Sequence, residues 1–377
     1  MSSIENNIIQ LKRIDKLLNE KRDEYLIDMH IHTHYSADGI ISVKEVINRA
    51  KYYKFDIISI TDHDSIDAYK EINELDSKDF PIIIPGIEFS VSYPEYEERC
   101  HVLKYFYNMN DSRFKKNLEQ NKDAYWNRIE LQFERIHENP TLQYFSRKYN
   151  IEYSIEDYKL FLKNNNIKIP EYPTLMEYLF SLLIKNDVMV WDVFNKAMED
   201  NQQDPCKKRK QKKIETLERF YKKYINENIN RVGRKLKPIL APVGIDDKNF
   251  IEYKSSGSLS VHEYNQISIN DVNNSGINIL AHPNPNKIDC IDSLSHVLSG
   301  LELNIRSERQ TNNDIMKKAK KNKLLITRGS DSHFNTEASY NALDFYKMKH
   351  NDLLKISQRL KKSLENDMLN RNESMKK

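Results

Sequence analysis

Short apolar runs that end in polar side chains recur at both ends of this chain, separated by segments whose apolar positions repeat every three or four residues. Tyr25-Leu-Ile-Asp-Met-His30 reads as a short buried strand, residues 42–53 as a helix, and Asp56-Ile-Ile-Ser-Ile-Thr61 as a second strand. Residues 65–76 are again helical in pattern, and Pro81-Ile-Ile-Ile-Pro85 is a third strand. The rhythm returns late, with Ile277-Asn-Ile-Leu-Ala281, Gly300-Leu-Glu-Leu303, a helix near 311–322 and then Leu324-Leu-Ile-Thr327. Strand and helix alternating at this spacing predict βα units around a parallel sheet.

Ahead of the first strand, Ile4, Ile8, Leu11, Ile14 and Leu18 fall three or four apart, which predicts an amphipathic helix within residues 1–24. Packing on the domain that follows is its plainer role, and a partner-binding arm the alternative. The middle of the chain is different. From about 111 to 270, polar and aromatic residues recur at helical spacing with few strand-like runs, so this stretch reads as a helical insertion. Pro170, Pro173 and Pro205 mark breaks between its helices. The expected organisation is therefore an N-terminal helix (1–24), a first barrel part (25–110), the insertion (111–270), a second barrel part (271–350), and a C-terminal helix and tail (351–377).

Composition excludes several classes. At 377 residues the chain can build one large core or two ordinary ones. Cys100, Cys206 and Cys290 form no CxxC pair, which argues against a disulfide framework and a zinc ribbon. The first residues lack the pattern of a secretory signal, and no run approaches the roughly 18 apolar residues of a membrane span. A cytoplasmic protein that does not engage a membrane is expected. The net charge is only +3, yet residues 206–237 carry 13 Lys or Arg and 3 Glu. A solvated face is the plain reading of that stretch, and contact with a nucleic-acid backbone the functional one.

The chemistry gathers at strand ends, where βα loops open and α/β barrels build their sites. His30 and His32 flank Ile31, so an extended backbone puts both imidazoles on one side, where they can share a metal. Asp38 follows in a turn-like segment, with His34 as a competitor for its place. His63 lies just beyond the second strand and Glu88 just past the third. His101 opens a strand or edges one, an exception to the strand-end rule. His282 ends Ile279-Leu-Ala-His-Pro283, and Asp331 and His333 follow the strand at 324–327. A lone buried histidine is most often a satisfied core residue. Six histidines and three carboxylates in such positions are better explained as ligands for Zn, Mn or Fe, and nine donors imply two or three divalent ions.

His30-Ile-His32, Thr61-Asp-His-Asp64, Gly86-Ile-Glu88, His101, Ala281-His-Pro283, Gly300-Leu-Glu302 and Gly329-Ser-Asp-Ser-His333 together resemble the polymerase and histidinol phosphatase (PHP) superfamily. Their order and spacing are most similar to its nucleoside 3′,5′-bisphosphate phosphatase branch, over roughly residues 26–106 and 276–346. The resemblance implies a distorted (β/α)7 PHP barrel with a large helical insertion and a trinuclear centre. One ion would be held by His30, His32, Glu88 and Asp331, a second by Glu88, His101 and His282, and a third by Asp38, His63 and His333. Glu88, His282 and Asp331 are the residues it implies for catalysis, and Arg128, Arg306 and Arg328 are candidates for the phosphate. Water acidified by two cations would attack phosphorus in line.

Three functions remain in competition. The leading one is a metal-dependent phosphoesterase, phosphatase or nuclease, acting on nucleotides or nucleic-acid ends. A metal-stabilised scaffold for a protein or nucleic-acid partner is the second, and it predicts missing ligands where none is missing. Amidohydrolase-like deamination is the third, and it lacks that family's carbamylated-lysine strand.

Overall fold

The structure is a computed structural model that describes residues 3–36, 38–75, 79–93, 98–165, 167–200, 267–272, 275–283, 288, 290–333 and 340–374. Pro205 and the basic stretch 206–237, with the nucleic-acid contact expected there, lie outside the described residues. The chain divides into two compact units, Met1–Asn121 with Gln266–Lys377, and Lys122–Asn265.

In the first unit, β1 (Glu24–Ile31) is followed by α2 (Val43–Tyr52), β2 (Ile57–Ile60), α3 (Ala68–Glu74) and β3 (Ile82–Ile83), with α1 (Ser3–Asn19) ahead of them. Helix α2 starts where the Ser42 side chain accepts from the Glu45 N–H, replacing an intrahelical partner at the N-terminus. Its buried face, Val43, Val46, Ile47 and Ala50, packs with Ile58 and Ile60. β1, β2 and β3 are parallel, with Ile27 opposite Ile57 and Ile57 opposite Ile82, and β9 (Lys347–Lys349) pairs antiparallel with β1.

The second sheet runs in the order β4 (Gly86–Tyr93), β5 (Glu98–Tyr105), β6 (Ile277–Leu280), β7 (Gly300–Asn304) and β8 (Leu325–Gly329). Here the expectation of a purely parallel sheet fails. β4 and β5 form an antiparallel hairpin in register from Gly86 opposite Tyr105 to Tyr93 opposite Glu98, and β5 is also antiparallel to β6. Two strands joined by so short a connection cannot run parallel. Glu88 is therefore inside a strand rather than past one, and His101 is in the middle of β5 rather than at its start. The (β/α)7 barrel expected from the sequence is met only in part. Among the described residues the ladder is two sheets, joined by the isolated bridges Ile31 to Ser332 and His63 to Glu88, and not one unbroken ring.

Helix α1 buries Ile4, Leu11, Ile14 and Leu18 against Leu353, Ile356, Leu360 and Leu364 of the C-terminal helix His350–Ser374. At about 1.5–3 kcal/mol for each fully buried aliphatic side chain, this contact is a substantial part of the unit's stability. The helix thus spends its apolar face inside its own domain.

Lys104, on β5, is fully buried and donates to Asn278 Oδ1 at 3.0 Å. Burial pushes its ammonium down from 10.5 to about 7, against the pull of Asp367 and Asp111. The unfolded chain binds this proton more tightly, so stability rises with pH between those two values. Lys104→Met removes the cost of the buried ammonium but leaves Asn278 Oδ1 without its donor, so a net gain on the order of 1–2 kcal/mol over the parent is expected near pH 7. The gain should shrink as the pH approaches 10. Urea midpoints of both proteins at the two pH values check this, and a variant weaker than the parent at pH 7 contradicts it.

The second unit contains the later part of α4 (Ser112–Glu138), α5 (Pro140–Tyr149), α6 (Ile155–Asn164), α7 (Tyr172–Lys185) and α8 (Val190–Asp200). Asn139 and Ser154 cap the N-termini of α5 and α6, and Pro140 and Pro173 occupy first-turn positions, where a missing N–H costs nothing. Ile129, Phe133, Leu142, Phe145, Leu162 and Leu179 are among the core of this bundle.

Candidate metal centre

The site grows from the ends of both sheets. His30 lies in β1 and His32 just beyond it, while Ile31 between them points into the opposite core. Along β4 the apolar Ile87, Phe89, Val91 and Tyr93 enter one core, which turns Glu88 the other way. There the Glu88 carboxylate, fully buried, meets five imidazoles. Its Oε2 is 3.0 Å from both His30 Nε2 and His32 Nε2 and 3.3 Å from His63 Nδ1. Its Oε1 is 3.0 Å from His101 Nδ1 and 3.1 Å from His282 Nε2. Asp331 Oδ1 closes the first group at 3.3 Å from His32 Nε2. Asp38 Oδ2 lies 3.2 Å from His333 Nε2 and 3.7 Å from His63 Nε2. His34 is elsewhere, 3.9 Å from Glu71.

All nine residues expected as ligands therefore meet in one cluster. Three sets of donors converge closely enough to share an ion: His32, Asp38, His63 and His333; His30, His32, Glu88 and Asp331; and His63, Glu88 and His101. Metal bonds of about 2.0–2.2 Å to N or O place neighbouring ligands about 2.8–3.6 Å apart, the lower end at octahedral and the upper end at tetrahedral angles. The separations of 2.9 Å between His30 Nε2 and His32 Nε2, and of 3.0 Å from each to Glu88, match that spacing. The donor chemistry fits a first-row divalent cation.

Protonation is fixed by partners that can only accept. His30 Nδ1 lies 2.8 Å from Glu302 Oε1, so Nδ1 donates and Nε2 faces the cluster, where a bound cation would take the place of its proton. His333 Nδ1 donates to the Asp331 carbonyl at 2.9 Å, turning its Nε2 toward Asp38. Burial alone would lower His30, but Glu302 and Glu88 outweigh it and hold it well above its usual value. Burial takes His333 down to about 4, despite Asp38. Burial would raise Glu88 and Asp331, yet the surrounding histidines keep both carboxyls well below the usual range. His282 and Asp331 adopt positive φ, 27° and 49°, a strained geometry for non-glycine residues that concentrates at functional sites.

The cluster opens on one side. Side chains of His30, His32 and Glu88 are 0% exposed, whereas those of His101 and His282 are about one-third exposed. Arg306 stands at this rim, its guanidinium 3.4 Å from Asp331 Oδ2. Arg328 does not join it: it projects from the other face of β8 and donates to the Phe345 carbonyl at 2.9 Å. Arg128 is buried on α4 in the second unit.

A shell of polar residues to which no sequence motif assigns a role surrounds the cluster. Glu302 accepts from His30 and, at 2.7 Å, from the His282 N–H, orienting two donors at once. Asp62 holds the loop after β1 by accepting from the Thr33 N–H and hydroxyl at 2.6 and 2.7 Å. Asp28 accepts from Ser330 N–H and the Tyr340 hydroxyl, and burial raises it to about 6. Glu302 was visible within Gly300-Leu-Glu302, but nothing local showed which groups it would meet. Glu302→Gln is expected to weaken metal affinity by about 10–100-fold while the fold persists. Titration of the metal-free variant with Mn checks this, and unchanged affinity contradicts it.

Fold and site together define an α/β protein with a buried His/Asp/Glu cluster whose donors suit divalent metal. Residues 28–228 match the PHP domain model, more than half of the chain, and the protein belongs to that family. His282, Glu302, Asp331 and His333 lie beyond the matched segment. No curated protein sequence is significantly similar to the chain. Among solved structures, a proposed metal-dependent phosphoesterase of Bifidobacterium adolescentis superimposes with a TM-score of 0.52 at 16% identity, covering 81% of this chain and 87% of that one. An amidohydrolase of Chromobacterium violaceum with bound sulfate gives 0.45 at 15% identity, covering 86% and 98%. A two-domain protein of Bacteroides vulgatus, named for a PHP-like metal-dependent phosphoesterase, gives 0.36 at 11%, covering 91% and 63%. Among the described residues no helix is long and apolar enough to cross a membrane.

Proposed function

We propose that this protein is a cytoplasmic phosphoesterase that uses two or three divalent ions, Mn, Zn or Fe, to hydrolyse phosphate esters of nucleotides or nucleic-acid ends. A distorted barrel related to the bisphosphate phosphatase branch would carry the centre. The observation behind this reading is Glu88, one carboxylate whose two oxygens face two separate groups of imidazoles. Bound cations would acidify water and neutralise phosphoryl oxygens. The chain's own part is to hold them. His30, His32, Glu88 and Asp331 would take one ion, His101 and His282 with Glu88 a second, and Asp38, His63 and His333 a third.

His101 and His282, about one-third exposed, and Asp331, partly exposed, would meet an entering phosphoryl group before the fully buried Glu88. The Arg306 guanidinium beside Asp331 is placed to pair with its equatorial oxygens. The glutamate and histidines at the closed end exclude bulk water, which strengthens every charge interaction inside. The test is a panel of nucleoside mono- and bisphosphates and 5′- or 3′-phosphorylated oligonucleotides with the Mn-loaded protein. Release of phosphate or nucleotide is expected. A loaded protein inert toward the whole panel overturns the reading in favour of a metal-stabilised scaffold.

A further inference from the structure

The chain leaves the first unit after Asn121 and re-enters it at Gln266. Where these two crossings approach, a single side chain holds three groups. Asn121, on α4 and fully buried, donates through Nδ2 to Asp64 Oδ1 and to the Ser90 carbonyl, both at 2.7 Å. Its Oδ1 accepts from the Ile267 N–H at 3.1 Å. Ile267 in turn receives the Ser92 N–H of β4 at 2.9 Å, so the returning chain is pinned beside the strand that carries Glu88.

Asp64 is the residue after His63, and its φ of 45° is one that a non-glycine keeps only when its surroundings impose it. They do so at both ends of the residue. Its N–H donates to the Glu88 carbonyl at 2.9 Å, and its carboxylate accepts from Asn121 and, at 3.2 Å, from the Ser90 N–H. The His63 imidazole, 3.3 Å from Glu88 and 3.7 Å from Asp38, is thereby fixed between two carboxylates.

We propose that Asn121 is a positioning residue. It clasps the outgoing and returning chain at the neck of the inserted unit and, through Asp64, sets His63 in the cluster. This rests on the reading of that cluster as a metal centre and adds a residue outside the cluster that sets its geometry. A change in the spacing of residues 121 and 267 reaches His63 through one intervening side chain.

The test compares the parent with Asn121→Ala, following the His63 ring-nitrogen NMR signals in metal-free protein, Mn affinity by calorimetry, and the split of kcat from KM. The His63 signals are expected to move more than those of the other histidines. The weakest ion should bind about ten-fold less tightly, and kcat should fall with KM within about two-fold. Unmoved His63 signals and unchanged ion affinities, whatever happens to the melting temperature, overturn the proposal. If the parent itself binds no ion and cleaves nothing, the phosphoesterase reading fails, while the ring signals still decide the role of Asn121. Should Asn121→Ala not fold, the isosteric Asn121→Asp keeps an acceptor for Ile267 and sets a carboxylate against Asp64. Adding Asp64→Asn restores the donor–acceptor pair between residues 121 and 64 but not the donor to the Ser90 carbonyl, so partial recovery of the His63 signals supports the clasp and none at all overturns it.

Discussion

Glu88→Gln is expected to cost at least one bound ion and about 10³-fold in phosphoester turnover, with the secondary structure unchanged. Glutamine has the shape of glutamate but carries an NH2 group on one side. Turned one way, that group faces His30, His32 and His63; turned the other, it faces His101 and His282. Either orientation replaces an anionic acceptor by a donor where lone pairs converge. Removing one well-placed electrostatic group from an active site typically costs 10²–10³-fold, and in the proposed centre this one would serve two ion positions. Elemental analysis and single-turnover rates of the variant measure both effects. Turnover within ten-fold of the parent rules out the bridging role.

The second large effect falls on Gly329→Ala. Gly329 closes β8, and a Cβ there would lie 2.1 Å from Glu302 Oε1 and 2.4 Å from His30 Cβ. Neither neighbour can yield. Glu302 is held by two hydrogen bonds and both residues are fully buried. Overpacking of this kind costs about 1–3 kcal/mol, and a displaced carboxylate leaving His30 and the His282 N–H without their acceptor adds about 1–3 kcal/mol. The variant should melt several degrees below the parent and lose the ion held by His30. A calorimetric scan with and without added Mn reads both, and a variant matching the parent in both would mean that Glu302 and His30 do not flank this glycine.

The parallel βα units were legible because apolar runs such as those at 57–60 and 325–329 are short, end in polar residues and alternate with helical spacing. The hairpin was not foreseen, although β4 carries a period of two in Ile87, Phe89, Val91 and Tyr93. Pro85 marks the end of one strand in the sequence, and the alternation beyond it belongs to the next. The members of the cluster were legible because imidazole and carboxylate near a strand end have few bland explanations, although Glu88 and His101 stand inside strands. Arg328 was not, since proximity in sequence to Asp331 says nothing about which face of β8 a side chain takes. The orienting residues escaped for a related reason. Glu302, Asp62 and Asn121 act by what they touch across the fold, and their partners are 20 to more than 200 residues away.

The proposed function requires cations in the space among His30, His32, Asp38, His63, Glu88, His101, His282, Asp331 and His333. Protein stripped by chelation, reloaded with Mn or Zn and dialysed should retain two or three ions per chain by elemental analysis, with a higher melting temperature than the stripped form. A chain that retains no ion of either metal, and melts at one temperature throughout, contradicts it.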